Sequence, residues 1–171
     1  RGNHYFLESL YMLKYTTNFK RYLNLLEQTI ADPKFPVNDN IASLSFLYVY
    51  NNKLNLHILE GTFAESEYLI PEILEKLKIH SEHLDEHHEM LFFYKFASIY
   101  FGNEKYNECI NYLDKIINNK NLTMREDLMC FARLLSLIAH YELGKDYYLE
   151  NHLKSTYKFL LKMNDLHEVQ K

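Results

Sequence analysis

Beyond Gly2 the chain holds three glycines, Gly61, Gly102 and Gly144, spaced 41 residues from 61 to 102 and 42 residues from 102 to 144. Each stands at the end of an apolar run and just before an aromatic residue. A period in this range predicts stacked supersecondary units, because one such unit cannot bury its apolar face alone and must share it with a neighbour. Three prolines and four glycines in 171 residues leave few interruptions, which favours long helices over a turn-rich β fold.

The clearest unit runs from about Glu89 to Asn119. Phe93, Phe96, Ala97 and Tyr100 recur at steps of three and four, one face of a helix. Gly102-Asn103 is expected to end that helix, since glycine accepts the left-handed conformation of a C-cap. Tyr106, Cys109, Ile110, Leu113, Ile116 and Ile117 then form the apolar stripe of a second helix. The same alternation recurs upstream, with Tyr50, Leu54 and His57 before Gly61 and Phe63, Ser66, Ile70 and Ile73 after it. Downstream, Leu135, Ile138 and Ala139 precede Gly144, and Tyr148, Leu149, Leu153 and Tyr157 follow. An opening unit has Phe6, Leu10 and Leu13, a turn at Thr17-Asn18, then Phe19, Tyr22 and Leu26. Asn38-Asp39-Asn40 offers N-caps before Ile41, and Thr123-Met124-Arg125-Glu126 fits a capping box. Asp32 to Pro36 reads as a linker, and Pro71 should kink its helix or mark its true start.

The unit from Glu89 resembles the tetratricopeptide repeat family, with Phe93, Phe96-Ala97, Tyr100, Cys109 and Leu113 at the places of that family's pattern. Asn121 stands where the pattern has its terminal proline. The resemblance implies an all-α fold: an α-solenoid of about four antiparallel helical hairpins, eight major helices, in units of about 4–31, 40–79, 85–119 and 123–163 forming a single domain. It implies a non-catalytic protein- or peptide-binding scaffold, in which the first helix of each hairpin lines a concave face. On that analogy the groove residues are Tyr48, Asn51, Asn52 and Asn55, then Tyr94, Lys95 and Ser98, then Arg133, Ser136 and His140. Asparagine amides and cations suit peptide backbone and carboxylate groups. The dedicated carboxylate clamp of some members needs a cation and an Asn in the first unit too, where Leu7 and Tyr11 stand.

A net charge of −4 argues against a nucleic-acid binder, which normally carries a basic excess. Cys109 and Cys130 lie in apolar helical patterns without paired spacing and read as small buried hydrophobes of a reducing, cytoplasmic compartment. No stretch has the length and apolarity of a membrane span, and no leader-like segment opens the chain. Because it opens on Arg1 rather than Met, a fragment of a longer protein is expected. Among motifs, His83-Leu84-Asp85-Glu86-His87 has the spacing of one zinc-protease pattern, with both histidines on one helix face. A solvated helix N-terminus, where acidic side chains favour the positive end of the dipole, is the plainer account. A lysine stripe at Lys154, Lys158 and Lys162 is diluted by Asp146, Glu150, Asp165 and Glu168 and reads as a wet face. No catalytic residue, metal or cofactor is therefore expected.

Both ends carry an apolar excess. Tyr5, Phe6, Leu7, Leu10, Tyr11, Met12, Leu13 and Tyr15 open the chain, and Phe159, Leu160, Leu161, Met163 and Leu166 close it. Terminal repeats normally present a polar outer face. The expected partners are therefore a protein or peptide in the groove, and a second copy or neighbouring repeats at the end helices. Two other functional readings stand beside the scaffold: a regulatory peptide-sensing domain of a larger signalling protein, and a metal-dependent enzyme using His83 and His87.

Overall fold

The structure is a computed structural model that describes residues 2–119, 126–144 and 146–169, with backbone alone at 126, 146–148 and 164–169. Among these residues the chain is all-helical: α1 (Gly2–Met12), α2 (Thr16–Ala31), α3 (Asp39–Glu60), α4 (Phe63–Glu67), α5 (Ile70–Ile79), α6 (Glu86–Gly102), α7 (Tyr106–Ile117), α8 (Glu126–Glu142) and α9 (Asp146–Val169). Taking α4 and α5 as one interrupted helix gives the eight expected. Pro71 lies in the first turn of α5, where its missing N–H has no partner to lose, and so marks the helix start.

The first helix of each hairpin ends in the same way. Lys14, Gly61, Glu104 and Gly144 have φ of 56°, 69°, 58° and 66°. In three of the four, the next N–H reaches back five residues: Tyr15 to Leu10 O, Thr62 to His57 O and Lys105 to Tyr100 O, at 3.0, 3.0 and 2.9 Å. This is the Schellman closure, in which a left-handed residue lets two N–H groups satisfy the last carbonyls. Tyr15, Thr62 and Lys105 then share one conformation, φ between −82° and −91° and ψ between 59° and 70°. The repeat is thus written in the backbone, but its register differs from the glycine spacing. Gly102 is the last residue of α6, and Glu104 takes the left-handed position. The first turn falls at Leu13–Tyr15, while Thr17 and Asn18 lie inside α2.

Other boundaries have side-chain causes. The Asn38 carboxamide oxygen accepts the Ile41 N–H at 2.8 Å and starts α3. Asp32 closes an Asx turn by accepting the Lys34 N–H at 2.8 Å in the linker. Asp85 accepts the His88 N–H at 3.0 Å at the head of α6. The proposed capping box at Thr123 lies outside the described residues.

Two compact units divide the chain, Arg1–Glu89 and Met90–Lys171, with the boundary in the first turn of α6. In the first, α1 packs on α2 and α3 around Leu7, Leu10, Phe19, Leu23, Leu26 and Val49. Leu54, Ile70, Ile73 and Leu77 extend its buried set along α3 and α5. In the second, Tyr112 of α7 packs among Phe93, Phe96 and Tyr100 of α6 at 5.4 to 5.7 Å between ring centroids. There α7 also packs on α8, and α8 on α9. Cys109, Leu113, Ile116, Ala132 and Ala139 are buried. The apolar stripe read for the third hairpin is therefore its core.

Two stripes turn out differently. In α1 the buried residues are Leu7 and Leu10, whereas Phe6, and Leu13 just past the helix end, are exposed. Among the described side chains of α9 the buried ones are Thr156 and Met163, whereas Leu153 and Tyr157 face outward. Cys130 is only partly buried.

Candidate functional site

In the first unit, the first turn of α1, the second half of α2 and the N-terminal half of α3 enclose a cleft of about 610 Å³. Leu26, Ile30, Ile41 and Leu44 make its apolar surface, and Phe35 of the linker borders it. Asn3, Thr29, Asn40 and Ser45 supply polar groups. Tyr48 and His4 both line the cleft, their rings stacked at 4.1 Å and 17°. Helical spacing places this wall: Ile41, Leu44, Ser45 and Tyr48 recur at steps of three and four along α3. Of the residues assigned to a groove from the sequence, Tyr48 is the one that lines this cleft.

The other three from α3 have different settings. Asn51 is half-buried, and Asn55 is buried. Asn52 is 0% exposed; its Nδ2 donates to Tyr48 O at 2.7 Å and lies 3.4 Å from His4 Nδ1, while its Oδ1 is buried without a hydrogen-bond partner. It braces the His4–Tyr48 wall from beneath, a role that sequence spacing alone does not reveal.

In the second unit, Tyr94 and Lys95 are half-buried on α6, and the Tyr94 ring lies 6.5 Å from that of Phe131. The Ser98 hydroxyl donates to Tyr94 O at 2.9 Å, within its own helix. On α8, Arg133 lays its guanidinium over the Phe159 ring at 4.5 Å, with Nε buried and without a hydrogen-bond partner. Ser136 is buried, and His140 Nδ1 lies 2.8 Å from Ser136 O. The His140 ring also lies 4.5 Å from that of His152. Arg133 and His140 are thus turned toward α9. Burial first, then the proximity of His140 and Arg133, holds His152 below its ordinary value, against an opposing pull from Asp114.

The histidine-rich segment does not form one helix face. His83 lies in the turn between α5 and α6, while His87 is in α6. His80 closes α5, with Nδ1 2.9 Å from the Ser43 hydroxyl and its ring stacked on Phe46 at 5.2 Å. Burial first, then Lys76 and His83, lower its pKa. At Asp85 burial pushes the carboxyl up, but the His88 N–H and ring outweigh it and hold it below the usual range. Among the described residues no group of three or more His, Cys, Asp or Glu converges as a metal site. Burial pushes the Cys109 thiol up to about 12.

Tyr50 hydrogen-bonds to Glu72 across α3 and α5, and Lys53 and Lys76 stand over its ring at 5.2 and 5.7 Å. This cluster, with Lys53 paired to Glu27 at 2.8 Å, ties α2, α3 and α5 together. Among the described residues no helix is long and apolar enough to cross a membrane. No family model, no curated protein and no solved structure matches the chain.

Proposed function

We propose that the chain is a non-catalytic protein- or peptide-binding module, built like tetratricopeptide arrays, and that the cleft of its first unit receives a peptide segment. The observation that carries this reading is the cleft itself: apolar residues of α2 and α3, a stacked His4–Tyr48 wall, and amides and hydroxyls at Asn3, Asn40, Thr29 and Ser45. Apolar side chains of a bound segment would occupy the floor, and its backbone would find donors and acceptors at the edge. Asn51 in the first unit, and Tyr94 and Lys95 in the second, are partly exposed on first helices and remain proposed peptide-contacting positions, each within its own unit. Asn52 supports the wall from within rather than touching ligand, and Asn55 is buried.

The test is selection of peptides from a displayed library on the purified chain, followed by affinity measurements on variants. Tyr48→Ala and Leu44→Asp should each weaken selected peptides about tenfold or more, since removing an aromatic anchor commonly exceeds 1 kcal/mol. Arg133→Ala, on α8, should leave them unchanged. Selected peptides that bind Tyr48→Ala and Leu44→Asp undiminished would place the binding surface elsewhere.

A further inference from the structure

Few buried side chains hold the last helix in place. Among the described residues α9 packs mainly against α8, and its buried side chains are Thr156 and Met163. Phe159 adds a half-buried ring beneath the Arg133 guanidinium. Two imidazoles meet in the same seam, His140 of α8 and His152 of α9, both half-buried, with ring centroids 4.5 Å apart and planes inclined by 32°. His140 has its tautomer fixed by its own helix. Its Nδ1 lies 2.8 Å from Ser136 O, which can only accept, so Nδ1 carries the hydrogen and Nε2 is left to take a second one.

The charges around the pair leave no reserve for a further proton. Arg133 of α8 and Asp114 of α7 both act on His152, one cation against one carboxylate. On α9 itself Leu149, Ser155 and Thr156 lie one turn from His152 and are uncharged, and the nearby Glu150 is paired with Lys154 at 2.6 Å. With both rings neutral these groups balance. Protonating both rings adds two positive charges beside Arg133 with the Asp114 carboxylate alone to offset them. Like charges this close repel, and more strongly where water is partly excluded. Burial first, then His140 and Arg133, already lower the pKa of His152, so an undocked α9 binds protons more readily than a docked one and is favoured as pH falls.

We infer that the seam between α8 and α9 is a pH-sensitive latch, in which protonation of His140 and His152 together drives α9 off α8 while α7 keeps its packing. The latch lies within the second unit and does not depend on what the cleft of the first unit binds.

Hydrogen exchange read by mass spectrometry on the whole chain, with rates normalised to unstructured peptides at each pH, tests the latch. Between about pH 7.5 and about pH 5, the range in which histidine changes charge, protection over 149–163 should fall about tenfold or more while that of α7 holds. The fall should lie between the ordinary histidine value and the midpoints at which the His140 and His152 rings titrate by NMR. These two readouts use the wild-type chain and need no variant to fold. The His140→Gln, His152→Gln chain, which cannot be protonated at either position, should keep α9 protected at the lower pH. Protection of α9 that ignores pH overturns the inference. A parallel loss in α7, or an equal loss of α9 protection in a folded glutamine variant, overturns it as well.

Discussion

Lys14 and Glu104 hold the same left-handed backbone as Gly61 and Gly144, with a Cβ that disfavours it. Each should therefore gain from glycine: Glu104→Gly is expected to raise stability by up to about 1 kcal/mol in urea denaturation. Gly61→Ala and Gly144→Ala should each lose about 1 kcal/mol, although an added Cβ meets nothing within 4 Å, so the loss is purely one of backbone conformation. Gly102→Ala, at a helical position, should be neutral or stabilising. His152 and His80 set the pH response at this scale. Both have pKa values below 6.5 in the folded chain, so the unfolded chain binds more protons once the pH drops below about 6.5. Their contribution is complete above that value and is lost as pH falls through the window down to the lowered pKa. His152→Phe should flatten the fall in thermal midpoint between neutral and mildly acid pH, and an unchanged slope would exclude His152 as its source.

Helix ends decide how the elements are cut. Asn38→Ala removes the only side-chain bond from Asn38 to the first turn of α3 and should cost about 1 kcal/mol in denaturant, with Asn38→Asp close to wild type. Pro71 distinguishes two kinds of break. A proline inside a continuous helix costs about 3 kcal/mol, so its removal would be strongly stabilising, whereas at the first turn of α5 Pro71→Ala should change the unfolding free energy measured in urea by less than about 0.5 kcal/mol. In α9 the packed positions His152, Thr156, Phe159 and Met163 run along one side, and Leu153, Tyr157 and Leu161 along another. Phe159, half-buried beneath Arg133, belongs to the hairpin rather than to its outer face.

At the scale of the whole molecule, each compact unit carries its own buried set. Leu7 is fully buried in the α1–α3 cluster, and Leu7→Ala should cost 2 to 5 kcal/mol, as large-to-small core changes do. Hydrogen exchange read by mass spectrometry should show protection falling in α1 to α3 while α7 and α8 keep theirs. Equal loss in both halves would mean that the two buried sets unfold as one.

The sequence by itself determined the helical class, the four hairpins and the core of the third. Few breakers and a 3.6-residue apolar period admit little else, as Phe93, Phe96, Cys109 and Leu113 illustrate. Tyr48 entered only through the resemblance to the repeat family, and the structure sets it in the lining of the first-unit cleft. Only the tertiary structure decided the register of the turns. Any residue can take the left-handed position when the helices on either side fix it, and Glu104 rather than Gly102 was placed there. It likewise decided which apolar residues are core where helices are apolar on more than one face. In α1 and α9 periodicity offers two nearly equal stripes, and packing against α2 and α3, or against α8, selects Leu7 over Phe6 and Thr156 over Tyr157. The same selection buries Asn52 beneath His4 and turns Arg133 onto Phe159, because contacts between residues distant in the chain leave no trace in local spacing.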